Sequence, residues 1–168
     1  GSETVSLGDA SGRILHQDIR SQIDIPPLDN SAMDGFALHW SDTRGATRER
    51  PVELQICGEI QAGGDFTGVR LEKRSAVRIM TGAPIPDGAD AVIPVEFILE
   101  DASRGTISVL QELQQHENIR YAGEDIKAGQ VVLTKGTKLR SAETGLLASL
   151  NISEIPVYRK PRVAIIST

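Results

Sequence analysis

Short polar side chains crowd the stretch Pro26 to Ala37, which reads Pro-Pro-Leu-Asp-Asn-Ser-Ala-Met-Asp-Gly-Phe-Ala. Two prolines hold its start extended, and Asp29, Asn30 and Ser31 can each hydrogen-bond to nearby backbone, so the segment is stiff. Gly35 is expected to turn the chain through a positive φ and point the Asp34 carboxylate outward before the apolar Phe36-Ala37-Leu38. Asp29 and Asp34 therefore share one constrained loop, which either joins two elements or turns its carboxylates toward a ligand. A second loop, Thr81-Gly82-Ala83-Pro84-Ile85-Pro86-Asp87-Gly88, is held in shape by prolines and glycines. It could present the Thr81 hydroxyl and adjacent backbone N–H groups to an oxyanion. A third, Asn118 to Gly129, sets Arg120, Glu124 and Asp125 close together, where they can converge on a ligand or form a local ion pair.

The elements that hold these loops read mostly as strands. Val52, Leu54, Ile56 and Ile60 alternate with polar residues, the period-2 pattern of a half-buried strand, with Gly58 as a bulge marker. Cys57 lies in that strand and reads as a core residue. Ala62-Gly63-Gly64-Asp65 is a turn. Ser75 to Met80 and Ala91 to Leu99 are further strands, and Asp101 to Gly105 turns the chain into Thr106 to Leu113. Near the start, Ile14 to Ile19 reads as a strand; Gly1-Ser2 resembles an expression remnant and is set aside. Near the end, Val131 to Leu133 and Thr137 to Leu139 flank Lys135-Gly136 as a hairpin. Ser141 then caps a short helix, Ala142 to Leu150, that Asn151 ends, and Ile155 to Arg159 is a strand. Val163-Ala164-Ile165-Ile166 has the composition of a buried parallel strand.

The expected fold class is mainly β with short helices (α+β). A β-rich inserted domain, 25–126, carries the three loops, and a small discontinuous domain is built from 5–24 and 127–160. Residues 161–168 read as the first strand of an α/β domain that the chain does not contain.

Composition narrows the function. With 39% hydrophobic but only 4% aromatic residues, the core is aliphatic. A net charge of −5 argues against an electrostatic grip on nucleic acid or an anionic membrane. The single Cys57 excludes an intrachain disulfide, and His16, His39 and His116 have no metal-ligand spacing, so each reads as structural or surface. Arg70, Lys73, Arg74 and Arg78 form one locally basic segment, a solvated face or an anion site. Neither a Gly-x-x-x-x-Gly-Lys nor a Gly-x-Gly-x-x-Gly phosphate loop is present. With no signal peptide or apolar span, a cytoplasmic location is expected.

Asp29-Asn30-Ser31-Ala32-Met33-Asp34-Gly35-Phe36-Ala37 resembles the signature loop of the MoeA family, the molybdopterin molybdenumtransferases, which includes the E domain of gephyrin. Arg78 to Val92 resembles the family's second motif, and Asn118-Ile119-Arg120 with Gly123-Glu124-Asp125-Ile126 and Gly129 its third. The three occur in family order over most of the chain. Phe36 stands where Tyr is frequent in relatives. The resemblance implies insertion of molybdate into adenylylated molybdopterin with release of AMP, assisted by Mg²⁺. It carries the family's functional acids onto Asp34 and Asp125 and its functional threonine onto Thr81. Because molybdate and pyrophosphate are anions, Asp34 and Asp125 are most useful as ligands of Mg²⁺ or of its waters, with general-base activation second. Thr81 would donate to a phosphate or molybdate oxygen, and Asn30, Ser31 and Arg120 would orient loops or substrate.

The resemblance further implies a homodimer whose active cleft the partner subunit completes, and a link to the molybdopterin adenylyltransferase. It also implies that this stretch alone, without the helical segment that precedes Leu7 in the family and the α/β domain that follows, is inactive. Two alternatives stand beside the transferase. One is a non-catalytic dimerisation or protein-interaction module of the same scaffold. The other is an unrelated β-rich domain with an acidic Ca²⁺ or Mg²⁺ site.

Overall fold

A computed structural model describes residues 1–63 and 70–167. The chain divides into two compact units, Gly1–Ile25 with Asp125–Thr168, and Pro26–Glu124. The strands in chain order are β1 (Ser2–Ser6), β2 (Ile19–Arg20), β3 (Asn30–Ser31), β4 (Gly35–Leu38), β5 (Val52–Ile60) and β6 (Ser75–Ile79). They continue as β7 (Ala91–Pro94), β8 (Ile98–Asp101), β9 (Thr106–Val109), β10 (Ile119–Arg120), β11 (Val131–Leu133) and β12 (Glu154–Tyr158), with a helix α1 (Ser141–Ser149). The expectation of a mainly β chain with few short helices holds. Among the described residues no helix is long and apolar enough to cross a membrane.

Pro26–Glu124 is built on a sheet of order β7-β4-β6-β5-β9-β8, in which only β5 and β6 run parallel. All four residues of β4 are buried, because both sheet faces are covered. Phe36 and Leu38 join Ala76, Ala91 and Ile93 in one core, while Ala37 joins Val77, Ile79 and Val92 in another. Strand β5 serves both cores in turn. Its register with β6 shifts between Ile56 and Gly58, so Leu54 and Ile56 face the first core and Ile60, beyond the bulge, faces the second. Cys57 lies out of phase with Leu54 and Ile56, and the expected core cysteine is an exposed one. Of the expected turn after β5, Ala62 and Gly63 form a turn, whereas Gly64 and Asp65 lie outside the described residues.

Ala91 to Leu99 is not one strand. A 3₁₀ turn, Val95–Phe97, separates β7 from β8, which are the two edges of the sheet, and carries the chain from one edge to the other. The sheet curls accordingly, and Arg78 on β6 forms an ion pair with Glu100 on β8 while its guanidinium lies over the Phe36 ring.

In the other unit β1 pairs with β12 and β2 with β11, both antiparallel. Ala10, Leu15, Ile19, Leu139, Leu147, Ile155 and Val157 fill its core. Ser2, set aside in the sequence reading, is the first residue of β1. The strand expected over Ile14 to Ile19 is broken into bridges at Ile14 and Leu15 followed by β2. The expected hairpin around Lys135-Gly136 also fails to pair with itself. Its two arms bond instead to the 13–20 segment: Val131 and Leu133 to β2, Leu15 N–H to Thr137 O and Leu139 N–H to Arg13 O. Helix α1 is capped one residue earlier than expected. Arg140 takes the cap position because its N–H is bonded by the Glu143 carboxylate at 2.8 Å, and Asn151, at φ 57°, ends the helix. Residues 161–167 lie in neither helix nor strand, with Val163, Ile165 and Ile166 exposed.

Candidate functional site

The three special loops meet inside Pro26–Glu124. Strand β3 pairs with β10, placing Asn30 opposite Arg120 and Ser31 opposite Ile119, and on its other side Asn30 bridges Pro84. Ser31 N–H donates to Ala83 O at 2.9 Å, Gly82 N–H to Ser31 O at 2.9 Å, and Ile85 N–H to Asp29 O at 3.0 Å. Toward the third loop, Ala32 N–H donates to Asn118 O at 3.0 Å and Gly123 N–H to Pro26 O at 2.9 Å. The first loop is thus the middle rung of a small ladder. Its short polar residues can lie there because their backbone groups, which a buried loop must satisfy, find partners on both sides.

Asp34 leaves this ladder at the turn before β4. One of its carboxylate oxygens, Oδ1, accepts both the Thr81 N–H at 2.7 Å and the Thr81 hydroxyl at 2.8 Å. Its backbone oxygen accepts the Val95 N–H at 3.1 Å. The Thr81 N–H, and then the Thr81 hydroxyl, hold the Asp34 carboxyl below its ordinary range, because both donors favour the ionised form. Asp34 is exposed, and among the described residues its second oxygen accepts no hydrogen bond. The N–H groups of the second loop do not form an open anion cradle: Thr81 gives its N–H to Asp34, Gly82 to Ser31 and Ala83 to Met80.

Gly35 does its work differently from the expectation. Its φ is not positive; it sits inside β4, where a Cβ would fall 1.9 Å from the Ile93 carbonyl oxygen of β7. The glycine is there for close approach of two backbones, and the direction of Asp34 is set by Thr81 instead.

The remaining expected residues divide. Asn30 is half-buried and donates from Nδ2 to Leu28 O at 3.2 Å. Ser31 is 1% exposed, beyond the reach of a ligand. Arg120 is half-buried, with its Nε 3.9 Å from the Glu124 carboxylate. Glu124 also accepts the Tyr121 N–H at 3.0 Å. Asp125 belongs to the other unit, where its N–H donates to Ile25 O at 2.9 Å and its side chain is exposed. The structure therefore links Asn30, Ser31, Asp34, Thr81 and Arg120 through one hydrogen-bonded set of loops.

The model of the MoeA N-terminal region (domain I and II) matches residues 1–151. The chain belongs to the MoeA family. It is 41% identical to the molybdopterin molybdenumtransferase of Bacillus subtilis (strain 168), over 99% of this chain and 39% of that protein. To molybdopterin molybdenumtransferase 2 of Mycobacterium tuberculosis (strain CDC 1551 / Oshkosh) it is 42% identical, over 98% of this chain and 40% of that protein. The crystal structure of the molybdopterin biosynthesis moeA protein from Pyrococcus horikoshii OT3 superposes with a TM-score of 0.89 at 38% identity, covering 96% of this chain and 42% of that one. This MoeA-family chain spans about two fifths of the length of the relatives it matches.

Two further residues tie the loops of the site together. Asn118 adopts φ 61°, a left-handed conformation that asparagine tolerates, and its Nδ2 donates to Val92 O at 2.9 Å, tying the third loop to β7. Asp29 accepts the Ala122 N–H at 2.8 Å. An asparagine before a short apolar run is a turn signal, but which strand its amide would reach is not written in the neighbouring residues. Among the described residues no three His, Cys, Asp or Glu side chains cluster as a metal site. Magnesium does not require such a cluster, since it keeps most of its waters and takes one or two carboxylates. An exposed, ionised Asp34 with one oxygen held by Thr81 and the other open suits that role.

Proposed function

We propose that the full-length protein carrying this sequence is a molybdopterin molybdenumtransferase of molybdenum cofactor biosynthesis. In this reading molybdate enters adenylylated molybdopterin, the phosphoanhydride link is cleaved and AMP leaves. The observation that carries the proposal is the Asp34–Thr81 pair at the meeting of the three loops, in a chain with relatives named for this activity. Asp34 holds Mg²⁺ or its waters, Asp125 has the same role within its own unit, and Arg120 draws the anionic substrate. Bound there, Mg²⁺ would neutralise charge on the pyrophosphate oxygens. Thr81 keeps the Asp34 carboxylate ionised and aimed; its one hydroxyl hydrogen goes to Asp34 Oδ1, so it would donate to a phosphate or molybdate oxygen only by leaving that bond. Asn30 shapes the loop from the Leu28 carbonyl. The protein acts as a cytoplasmic homodimer, receives its substrate from the molybdopterin adenylyltransferase, and needs parts beyond this stretch for turnover. Those last features rest on the family relationship alone.

The test is AMP release by the full-length protein supplied with adenylylated molybdopterin and molybdate. Asp34→Asn and Asp125→Asn should each reduce kcat by at least about tenfold, the lower range for disturbing a metal-holding carboxylate. Rates equal to the parent for both variants would take the catalytic role from these two acids, and a parent that releases no AMP would replace the transferase reading with that of a non-catalytic dimerisation and interaction module.

A further inference from the structure

We infer that Ser31 is a positioning residue that sets the Asp34 carboxylate through a closed ring of hydrogen bonds; the catalytic part of this inference rests on the transferase reading. Ser31 is 1% exposed, so its hydroxyl is not offered to substrate. That hydroxyl donates to Met33 O at 2.5 Å and accepts the Met33 N–H at 3.2 Å, closing a tight turn that delivers the chain directly to Asp34. Asp34 then binds the Thr81 N–H and hydroxyl, and the next residue, Gly82, returns its N–H to Ser31 O. The Ser31 N–H is fixed in turn by Ala83 O.

The path Ser31, Met33, Asp34, Thr81, Gly82 and back to Ser31 is therefore complete, and the one polar atom of Ser31 outside it, its N–H, is held by Ala83 O. Closed rings of this kind share their strain. Releasing the turn at Met33 frees the Asp34 backbone to move, and the Thr81 donors lose the oxygen they converge on. Removing the buried hydroxyl leaves the Met33 carbonyl and N–H without the partner that closes the turn, so the turn has reason to open once it is gone. Ser31 thereby determines which Asp34 oxygen faces outward without touching any reactant.

The experiment has two readouts. In the 168-residue chain, amide hydrogen exchange followed by ¹H–¹⁵N NMR should be at least about tenfold faster at Thr81 in Ser31→Ala, the loss of one net hydrogen bond, with the amides of β6 unchanged. Ser31→Thr, which keeps the hydroxyl, should restore it. In the full-length protein Ser31→Ala should lower kcat about tenfold with KM within twofold of the parent, and Ser31→Thr should recover kcat. Unchanged exchange at Thr81, or a folded Ser31→Thr that exchanges as fast as Ser31→Ala, overturns the inference.

If Ser31→Ala does not fold, the unmodified chain decides. The Met33, Thr81 and Gly82 amides should open with protection factors equal within about threefold, as one unit; independent opening overturns the ring. The exchange measurements use neither substrate nor metal. Expected exchange together with full activity of Asp34→Asn would take the catalytic role from Asp34 and leave the positioning intact.

Discussion

Replacing Gly35 by alanine tests whether close approach of two strands, and not backbone freedom, is the reason for that glycine. The added Cβ would lie 1.9 Å from Ile93 O, 2.8 Å from Ile93 C and 3.1 Å from the Cα of Pro94. All three are backbone atoms, so no side chain can rotate away. Strand β7 would have to retreat by about 1.5 Å to regain an ordinary contact. Gly35 faces Pro94 and Ile79 in register, and all four residues of β4 are buried between two cores, so the movement disturbs packing on both faces. Overpacking of this type costs about 3 kcal/mol, the upper part of its usual range because the obstruction is rigid. For a chain of this size that corresponds to a fall in Tm of about 10 °C. Gly45→Ala is the control: its φ is +73° but nothing lies within 4 Å of the added Cβ, so only the left-handed penalty of about 1 kcal/mol applies. Melting followed by circular dichroism distinguishes the two. A Gly35→Ala chain that melts no lower than Gly45→Ala would refute the close-approach argument. Because Val95 N–H binds Asp34 O, the same substitution should also weaken AMP release in the full-length protein more than Gly45→Ala does.

Thr81→Val keeps the amide bond to Asp34 and removes the hydroxyl, so the Asp34 pKa should rise toward its ordinary value, read by ¹³C NMR titration of the carboxyl. Since that pKa is lowered by folding, the stability it contributes is complete above the unfolded carboxyl's value and is lost as pH falls through the folded one. The stability difference between parent and Thr81→Val should accordingly be largest at neutral pH and vanish in acid; a difference independent of pH contradicts the assignment. Arg13, 9% exposed, binds Glu3 and donates to Tyr158 O at 2.8 Å. Arg13→Ala leaves that carbonyl unsatisfied and should cost about 2 kcal/mol, seen as a lower urea midpoint, whereas a change within error would show the pair to be idle. Cys57, exposed on β5, should react with a thiol reagent without denaturant, and a thiol that reacts only on unfolding would return it to the core.

Local sequence determined a good deal here. Alternation drew β5 over Val52–Ile60, since a half-buried strand must alternate wherever it lies. Prolines, glycines and short polar residues marked the three loops, because those residues restrict or extend backbone conformation on their own. Asp34 and Thr81 were legible as chemistry through their motifs, although they stand far apart along the chain.

What the tertiary structure decided were relations among distant backbones. The arms around Lys135-Gly136 look like a hairpin from their own composition, yet each finds better partners in the 13–20 segment. Cys57 is exposed in phase with Gln55 and Glu59, whereas the move of Ile60 to the second core follows from one extra residue opposite β6, which is invisible until β5 has a neighbour. Gly35 is a glycine because of the Ile93 carbonyl, and Asp34 is aimed by Thr81, not by the glycine that follows it. Propensity acts through a residue's own torsions and can be read one position at a time, whereas steric exclusion and hydrogen-bond geometry exist only between segments that folding has already brought into contact.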